Sequence, residues 1–543
     1  LAKFKGPSVL KRIDISPDGI ESPFEDFGSV MIRPQAATAI DIAPTAKPSR
    51  RIVISPTARA VVVTSFCAFA LHLAFPRVDA WWLIPFALGG LFLTWSSLAP
   101  RAAAWNGYMS GLVFFTLSFA WFGETAGALL GPFGFIIDLG PALGEAFAFA
   151  ATALVTALAV RRSAPVLVPA VFAAAYTAAE WVRSSGFLGV PFGQLGLALV
   201  DSPLRPLAAF AGGYGLTFAV ALVAAYAAAA IAQHELRRVA AGVALGTLAV
   251  LAAAWVAWPA RTLATPTFRV AAIQGNIPQA IKSTDDARLL AVQRYTDMTM
   301  AAAAAHPALV VWPETVILTD INADARARAH FVALARAIHA EIAVGTLARD
   351  PLSGALANVL AYVAPDGSAL LVAKRQLVPF AEYLPLPAAL RAIPGVDEIG
   401  DFTSGHGPQL DPRTRGGTLI CWESVFGDVA LDQVRAGARF FVVSTDDAWF
   451  GSSDGPYQHA QATTLRAVET GRWIVRAAST GISGIVAPDG NWRERSGLQT
   501  QEIVIGAIGD PVTTFYDRIG PQPIGIALLV FALAALVPWP RRA

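Results

Sequence analysis

About eight apolar stretches, each near the length needed to cross a bilayer, constrain this chain more than any other feature. Seven fall between Arg51 and Pro259, centred near 58–76, 80–98, 105–122, 141–160, 165–182, 207–232 and 239–258, and the last lies near 522–540. A hydrocarbon layer of ~30 Å needs about 20 apolar residues per helical crossing. Composition agrees: 55% of the 543 residues are hydrophobic and 15% charged, with a mean hydropathy of +0.51, too apolar for an ordinary soluble enzyme.

Charge orients the stretches. Arg51 precedes the first, Arg101 separates the second and third, Arg161-Arg162 the fourth and fifth, Arg237-Arg238 the sixth and seventh, and Arg541-Arg542 follow the eighth. Every second connection is basic, so the positive-inside rule places these connections and both ends in the cytoplasm and segment 260–521 outside. The net charge of +2 then reports topology and not affinity for nucleic acid. With no basic stripe, phosphate-binding Gly-Lys loop or zinc-spaced Cys/His set, no nucleic-acid partner, metal or cofactor is expected.

The expected organisation follows. Residues 1–50 mix Lys, Asp, Glu, Pro and Ser without periodicity and read as a flexible cytoplasmic extension, with the first apolar stretch as a signal anchor. Residues 51–259 hold seven spans, 260–521 an exported domain, and 522–543 an eighth span with a basic cytoplasmic tail. Asp138, Glu145, Glu180 and Arg183 fall near span ends and read as interfacial, not as an ion pathway. The Gly- and Phe-rich connections 123–140 and 184–203 read either as a lipid entrance or as plain turns.

Segment 260–521 reads as α/β. Strand-like runs recur at Phe268–Gln274, Leu309–Trp312, Ile342–Leu347, Val359–Val363, Thr418–Trp422, Phe440–Ser444, Trp473–Ala477 and Ile503–Ala507, with helical patterns near 285–305, 324–340 and 457–471. Ala-Pro-Asp-Gly at 364–367 and 487–490 marks a turn after a strand in each case. Two such strand-turn units suggest two sheets covered by helices.

Within this segment one thiol stands out. Cys421, in Gly416-Gly417-Thr418-Leu419-Ile420-Cys421-Trp422-Glu423, ends a run of small and apolar residues beside a carboxylate. Its only companion, Cys67, sits inside the first apolar stretch, so a disulfide between them is geometrically implausible. An unpaired cysteine outside the cytoplasm needs a reason. Glu314, in Val-Val-Trp-Pro-Glu, and Lys374, in Val-Ala-Lys-Arg, supply a base and a cation from distant sequence. A thiol of pKa ~8.5 is little ionised near neutrality, so attack on an ester needs a base such as Glu314. The oxyanion needs fixed donors, which Lys374 and a backbone N–H near Trp422 could supply, typically worth ~3 kcal/mol per donor. Each residue also has a bland alternative: Glu314 capping a turn, Lys374-Arg375 as a solvated strand end, Glu382 and Glu423 in structural ion pairs, His459 as a structural histidine near a helix start.

These motifs resemble the Glu-Lys-Cys triad of the nitrilase superfamily. The expected span plan and the strings Gln274-Gly275-Asn276-Ile277-Pro278-Gln279, Val378-Pro379-Phe380-Ala381-Glu382-Tyr383-Leu384-Pro385 and Asp447-Ala448-Trp449-Phe450-Gly451 are similar to the apolipoprotein N-acyltransferase family, its membrane-embedded branch. The resemblance covers about 58 to 540. It implies a polytopic α-helical membrane domain of about eight spans carrying an exported α/β domain of the four-layer αββα type. It implies an acyltransferase of the bacterial inner membrane, with its catalytic domain in the periplasm, that moves an acyl chain from a phospholipid to the α-amino group of the diacylglyceryl cysteine of an apolipoprotein through a cysteine thioester. Glu314 would be the general base, Lys374 the oxyanion stabiliser and Cys421 the nucleophile; Glu382, Glu423, Trp422 and Asn358 would support the site or the substrate. Three positions depart from the family pattern: Ser283 after Lys282 where Trp is common, Asp446 where Asn is common, and Trp422 where Tyr is frequent.

Two other functions use parts of the same sequence. A membrane-tethered carbon-nitrogen hydrolase would use the triad with water as acceptor. A transporter would need paired ionisable groups at mid-bilayer, and the apolar stretches hold almost none. Access to a lipid donor and a lipid-anchored acceptor explains many spans better than hydrolysis of a small amide.

Overall fold

A computed structural model describes residues 55–123, 134–186, 188–258, 266–278, 285–350, 353–385 and 400–537. The extension 1–50, Arg51, the Lys282-Ser283 departure, Arg541-Arg542 and most of the connection 123–140 lie outside the described residues.

The expected eight spans are corrected to four among the described residues. Helices over Leu139–Arg162, Pro165–Arg183, Arg205–Ala232 and His234–Ala257 are long and apolar enough to cross a membrane. The other expected spans fail on length or polarity. Pro56–His72 has 17 residues and Ile84–Ser97 has 14, which at 1.5 Å per residue fall short of ~30 Å. Pro100–Ser118 is longer but carries Arg101, Asn106, Ser110 and Ser118. Pro521–Ala534 is apolar but only 14 residues long. Sequence runs of mixed apolar and small residues had merged helix, turn and 3₁₀ segments such as Trp81–Leu83 into apparent crossings.

These shorter helices complete the bundle by close contact. Gly107 and Gly111 lie one turn apart on Pro100–Ser118, and a Cβ at either would meet the backbone of Gly134–Arg162, at 2.6 Å from Phe149 O and 3.0 Å from Ala146 O. Small residues at this spacing let two helices approach where burial of apolar surface gives no drive in lipid. Trp95 donates to the side chain of Asn106 at 3.0 Å, which satisfies a polar group the bundle buries.

The remaining chain forms two open sheets. Strands β1 (Phe268–Gln274), β2 (Leu309–Val311), β3 (Glu341–Arg349), β4 (Leu356–Val363) and β5 (Ala369–Ala373) join β11 (Glu502–Ile508) in the order β11-β1-β2-β3-β4-β5. Strands β6 (Gly416–Ile420), β7 (Phe440–Thr445), β8 (Trp473–Ala478), β9 (Gly484–Val486) and β10 (Trp492–Arg495) form the second, in the order β10-β9-β8-β7-β6. Each sheet has three parallel strands followed by antiparallel returns.

Alternation along the strands sorts side chains between two faces. Val270, Ala272, Leu309 and Val311 of the first sheet meet Ile420, Val442, Trp473 and Val475 of the second in one core. Ala271, Ile273, Val310 and Trp312 face the other way, against Tyr295, Phe331 and Leu334 of the helices Asp285–Ala302 and Ala325–Ile338. On the far side, Leu419, Phe441 and Val443 join Val429 and Leu465 of the helices Gly427–Arg435 and Gly455–Thr470, and that core runs on into the bundle.

This topology gathers polar residues at one edge. Because β5 runs parallel to β3 through the antiparallel β4, the residues after β2 and β5 and the start of β4 all lie at the same end of the first sheet. Glu314, Lys374 and Asn358 occupy those positions.

Candidate active site

Glu314 is presented by a tight reversal after β2. Trp312 is buried and anchored by a bond from its Nε1 to Thr299 Oγ1 at 2.8 Å, Pro313 stiffens the exit, and Thr315 adopts φ 46°. The reversal crosses β3 at Gly345, where a Cβ would stand 2.2 Å from Pro313 O, so only glycine fits beneath it. Lys374 follows β5, its N–H donating to Asn358 O at 2.8 Å.

The charged groups meet around the Lys374 ammonium. Nζ donates to Glu314 Oε1 at 3.0 Å and to Glu382 Oε1 at 2.9 Å, and the Asn358 amide donates to the same two oxygens at 2.7 and 3.0 Å. Glu314 Oε2 accepts from the Asp446 N–H at 3.0 Å, beyond the end of β7, and Glu382 Oε2 accepts from the Val378 N–H at 2.8 Å. Lys374 is 1% exposed. Burial alone would strip its proton, but Glu314, Glu382 and Cys421 outweigh that and hold its pKa well above the ordinary lysine value.

Cys421 sits where β6 breaks into the 3₁₀ turn Cys421–Val425. The expected strand Thr418–Trp422 therefore ends at Ile420. Cys421 adopts φ 49°, left-handed backbone that a non-glycine residue occupies at a cost of about 1–3 kcal/mol. Glu423 makes the break: Oε2 accepts from the Ile420 N–H at 2.7 Å, and Oε1 accepts from the N–H groups of Arg375 at 2.6 Å and Gln376 at 3.1 Å. One carboxylate thus straps the cysteine turn to the lysine loop. Burial raises its pKa, with those three N–H groups and Lys374 opposing.

The thiol pKa is pushed well above its usual value, first by burial and then by the Glu314 carboxylate, with Lys374 opposing. A thiol kept neutral within the electrostatic influence of a carboxylate suits attack with loss of the proton to that carboxylate. Lys374, fixed by two carboxylates, is a charged donor of the kind that a developing oxyanion needs.

The structure thus brings Glu314, Lys374, Glu382, Asn358 and Cys421 into one cluster. Trp422 lies outside the polar group, buried against Phe192 of the connection 184–203 with ring centroids 5.5 Å apart. Asp446 accepts from Ser479 Oγ and supports Glu314 through its backbone, a contact that either Asp or Asn allows.

Sequence reasoning missed how the membrane part reaches this place. Arg183 donates to Glu145 Oε2 at 3.2 Å and to the carbonyls of Val190 and Phe192 at 2.8 and 2.9 Å, while Glu180 Oε1 accepts from the Leu195 N–H at 2.9 Å. These groups, read as interfacial, are buried fasteners that hold Phe192 against Trp422; the Asp138 side chain lies outside the described residues. His459, read as structural, joins Asp447 and Ser424 in a network below Cys421 that the sequence reading did not connect. A His in the first turn after Gly455-Pro456, at the helix start, was its signal. Both cysteines are free, and no cluster of metal-ligating side chains occurs among the described residues.

Comparison with known proteins gives this geometry its context. Residues 67–226 match the family described as the apolipoprotein N-acyltransferase N-terminal domain, and residues 269–515 that described as carbon-nitrogen hydrolase. The chain is similar to an apolipoprotein N-acyltransferase of Azotobacter vinelandii, 32% identical over 490 residues that cover 86% of this chain and 93% of that one. To that of Bradyrhizobium diazoefficiens it is 30% identical over 538 residues, covering 91% and 95%. To that of Methylococcus capsulatus it is 33% identical over 420 residues, covering 75% and 81%. Identity of this level through nearly the full length of both partners, over a multi-pass bundle joined to a carbon-nitrogen hydrolase body, shows that the chain is an enzyme and belongs to the apolipoprotein N-acyltransferase family.

Proposed function

We propose that Cys421 carries the acyl group as a thioester between a phospholipid donor and the α-amino group of a diacylglyceryl cysteine at the start of an apolipoprotein. Membership of the family makes the chain an acyltransferase that acts on the amino-terminal cysteine of lipoproteins; the route is our reading. The observation that carries it is the Lys374 ammonium held by Glu314 and Glu382 within the electrostatic reach of the Cys421 sulfur.

In the first half Glu314 takes the thiol proton as Sγ attacks the ester carbonyl carbon. Lys374 Nζ and the Trp422 N–H hold the oxyanion. The tetrahedral adduct collapses, the C–O bond breaks, and the lysophospholipid oxygen leaves with the proton from Glu314. In the second half the neutral amine attacks the thioester, Glu314 accepts its proton, the C–S bond breaks and sulfur regains the proton. Asn358 and Glu382 keep Lys374 and Glu314 in register throughout.

Two bulky substrates crowding one sulfur favour this ping-pong order. Enzyme incubated with phospholipid alone should show one acyl adduct on the Cys421 peptide by mass spectrometry, labile to neutral hydroxylamine and absent in Cys421→Ala. No adduct from a preparation that transfers acyl chains rapidly once acceptor is added would remove Cys421 from the nucleophile's place. Release of free fatty acid at the rate of donor consumption, with no modified peptide, would instead indicate water as acceptor.

The chain is a multi-pass membrane protein, and we place segment 260–521 on the periplasmic side of the inner membrane, from the basic pairs Arg161-Arg162 and Arg237-Arg238 at alternate connections of the four long apolar helices. Ser353 is exposed. A cysteine there should react with an impermeant maleimide on intact spheroplasts, and protection until the membrane is breached would reverse the orientation.

A further inference from the structure

Beneath Cys421 lies a buried chain of side chains that the reaction steps do not use. His459, on the helix Gly455–Thr470, is 1% exposed. Its Nδ1 lies 2.9 Å from Asp447 Oδ1, and its Nε2 lies 2.8 Å from Ser424 Oγ and 3.0 Å from Cys421 O. Ser424 Oγ donates to the same carbonyl at 2.8 Å. Asp447 is itself held on both oxygens, by Thr445 Oγ1 at 2.8 Å and by Arg476 Nη2 at 2.7 Å. Burial opposes its charge, yet Arg476 and His459 hold its pKa well below the carboxylate range.

The separations resemble a Ser-His-Asp nucleophile triad, but the location excludes that use. Ser424 is fully buried, its proton is directed at a carbonyl oxygen, and no substrate carbon can reach it. The chain ends on the backbone of the cysteine. A peptide unit is planar and trans, so its C=O and N–H point in opposite directions. With the Cys421 carbonyl turned toward Ser424 Oγ and His459 Nε2, the Trp422 N–H points the opposite way. The first amides of a helical turn have no partner within it, which leaves that N–H for a ligand.

We propose that Asp447, His459 and Ser424 form a positioning relay that aims the Trp422 amide at the oxyanion. This rests on Cys421 being the acyl-carrying nucleophile. His459 and Ser424 touch no substrate; they set the orientation of the one oxyanion donor that has no side chain to hold it. The acidic end, Asp447, fixes the ring, and Arg476 and Thr445 fix Asp447.

The distinguishing test compares two reactions of the same sulfur. Acylation by an ester passes through an oxyanion, whereas alkylation by iodoacetamide displaces iodide at a saturated carbon and forms none. In a Cys67→Ala background, His459→Leu should slow formation of the Cys421 acyl adduct by about 10²-fold, the usual effect of losing one oxyanion donor. Its KM for phospholipid and its rate of alkylation should stay at the parent values. His459→Gln, which returns an N–H to the carbonyl, should recover most of the acylation rate. Ser424→Ala, which removes a single hydroxyl, should show the same pattern more weakly and serves if His459→Leu does not fold.

Acylation at the parent rate in folded His459→Leu would overturn the proposal. So would equal losses in acylation and alkylation, which would mean that the residue places the sulfur and not the amide. A parent enzyme that transfers acyl chains without any adduct would instead refute the thioester reading and leave the relay without a purpose.

Discussion

The α/β body and the helical bundle both bury charge, and they use it differently. In the body Lys374 binds Glu314 and Glu382 and stays within the electrostatic influence of a thiol. In the bundle Arg183, paired with Glu145, and Glu180 spend hydrogen bonds on backbone atoms of residues 190–195. On the proposed route the first arrangement keeps charge available to a developing oxyanion; the second consumes it in holding Phe192 against Trp422. Buried charges are costly wherever they sit, so both sets have to be closed by partners. What differs is whether the charges close on one another or on the backbone of a loop.

The largest effect that bears on this contrast is expected at Lys374. Lys374→Ala should lower acyl transfer by at least ~10³-fold, since an oxyanion donor is lost together with the partner that orients the base. It also leaves two buried carboxylates without their cation, a defect of about 3–5 kcal/mol that should lower the melting temperature in detergent. Wild-type transfer in a folded variant would reduce the body's charges to fasteners like those of the bundle. Next comes Arg183→Leu, which unpairs Glu145 and frees the Val190 and Phe192 carbonyls. We expect a melting temperature lowered by several degrees and transfer reduced about tenfold or less, with adduct formation on Cys421 retained. Complete loss of the adduct at normal folding would give the bundle's charges a chemical part and break the distinction.

The smallest effect is a pH dependence outside both sets. The Glu341 carboxyl at the start of β3 is pushed up to about 8, by burial and then by Asp411, from an ordinary value of 4.5. Between those values the folded chain holds one more proton than the unfolded chain, so stability should fall as pH rises through the window from about 4.5 to 8. Glu341→Gln should flatten that slope and melt higher than wild type at pH 8 while matching it near pH 5. An unchanged slope would locate the pH dependence in another group. Transfer at constant pH should be unaffected, since Glu341 starts β3, four residues before Gly345, where the Glu314 reversal crosses the strand.

Much of the body was legible in sequence because strands and helices are written in local alternation and period. The run Phe268–Gln274 is a strand over those residues, and the helices expected near 324–340 and 457–471 span Ala325–Ile338 and Gly455–Thr470. Cys421 was placed in a strand because Thr418 to Trp422 are apolar or small; the carboxylate that ends the strand sits two residues beyond the thiol and acts through backbone bonds. Short β5, β9 and β10 gave too few residues for a pattern. The bundle was read less well, since length and hydropathy cannot separate a 14-residue helix with a 3₁₀ lead from a full crossing.

By itself, then, the sequence determined the α/β character of the second half, the apolar character of the first, and the residue types that chemistry at Cys421 would need. These depend on neighbours within a few positions and on side-chain pKa values. Only the tertiary structure decided that Asn358 and Glu382 share Lys374 with Glu314, that Arg183 reaches across a loop to carry Phe192 to Trp422, and that His459 lies under the cysteine carbonyl. Those pairings join residues tens to hundreds of positions apart. Their geometry follows from how sheets and helices meet face to face, which no local pattern encodes.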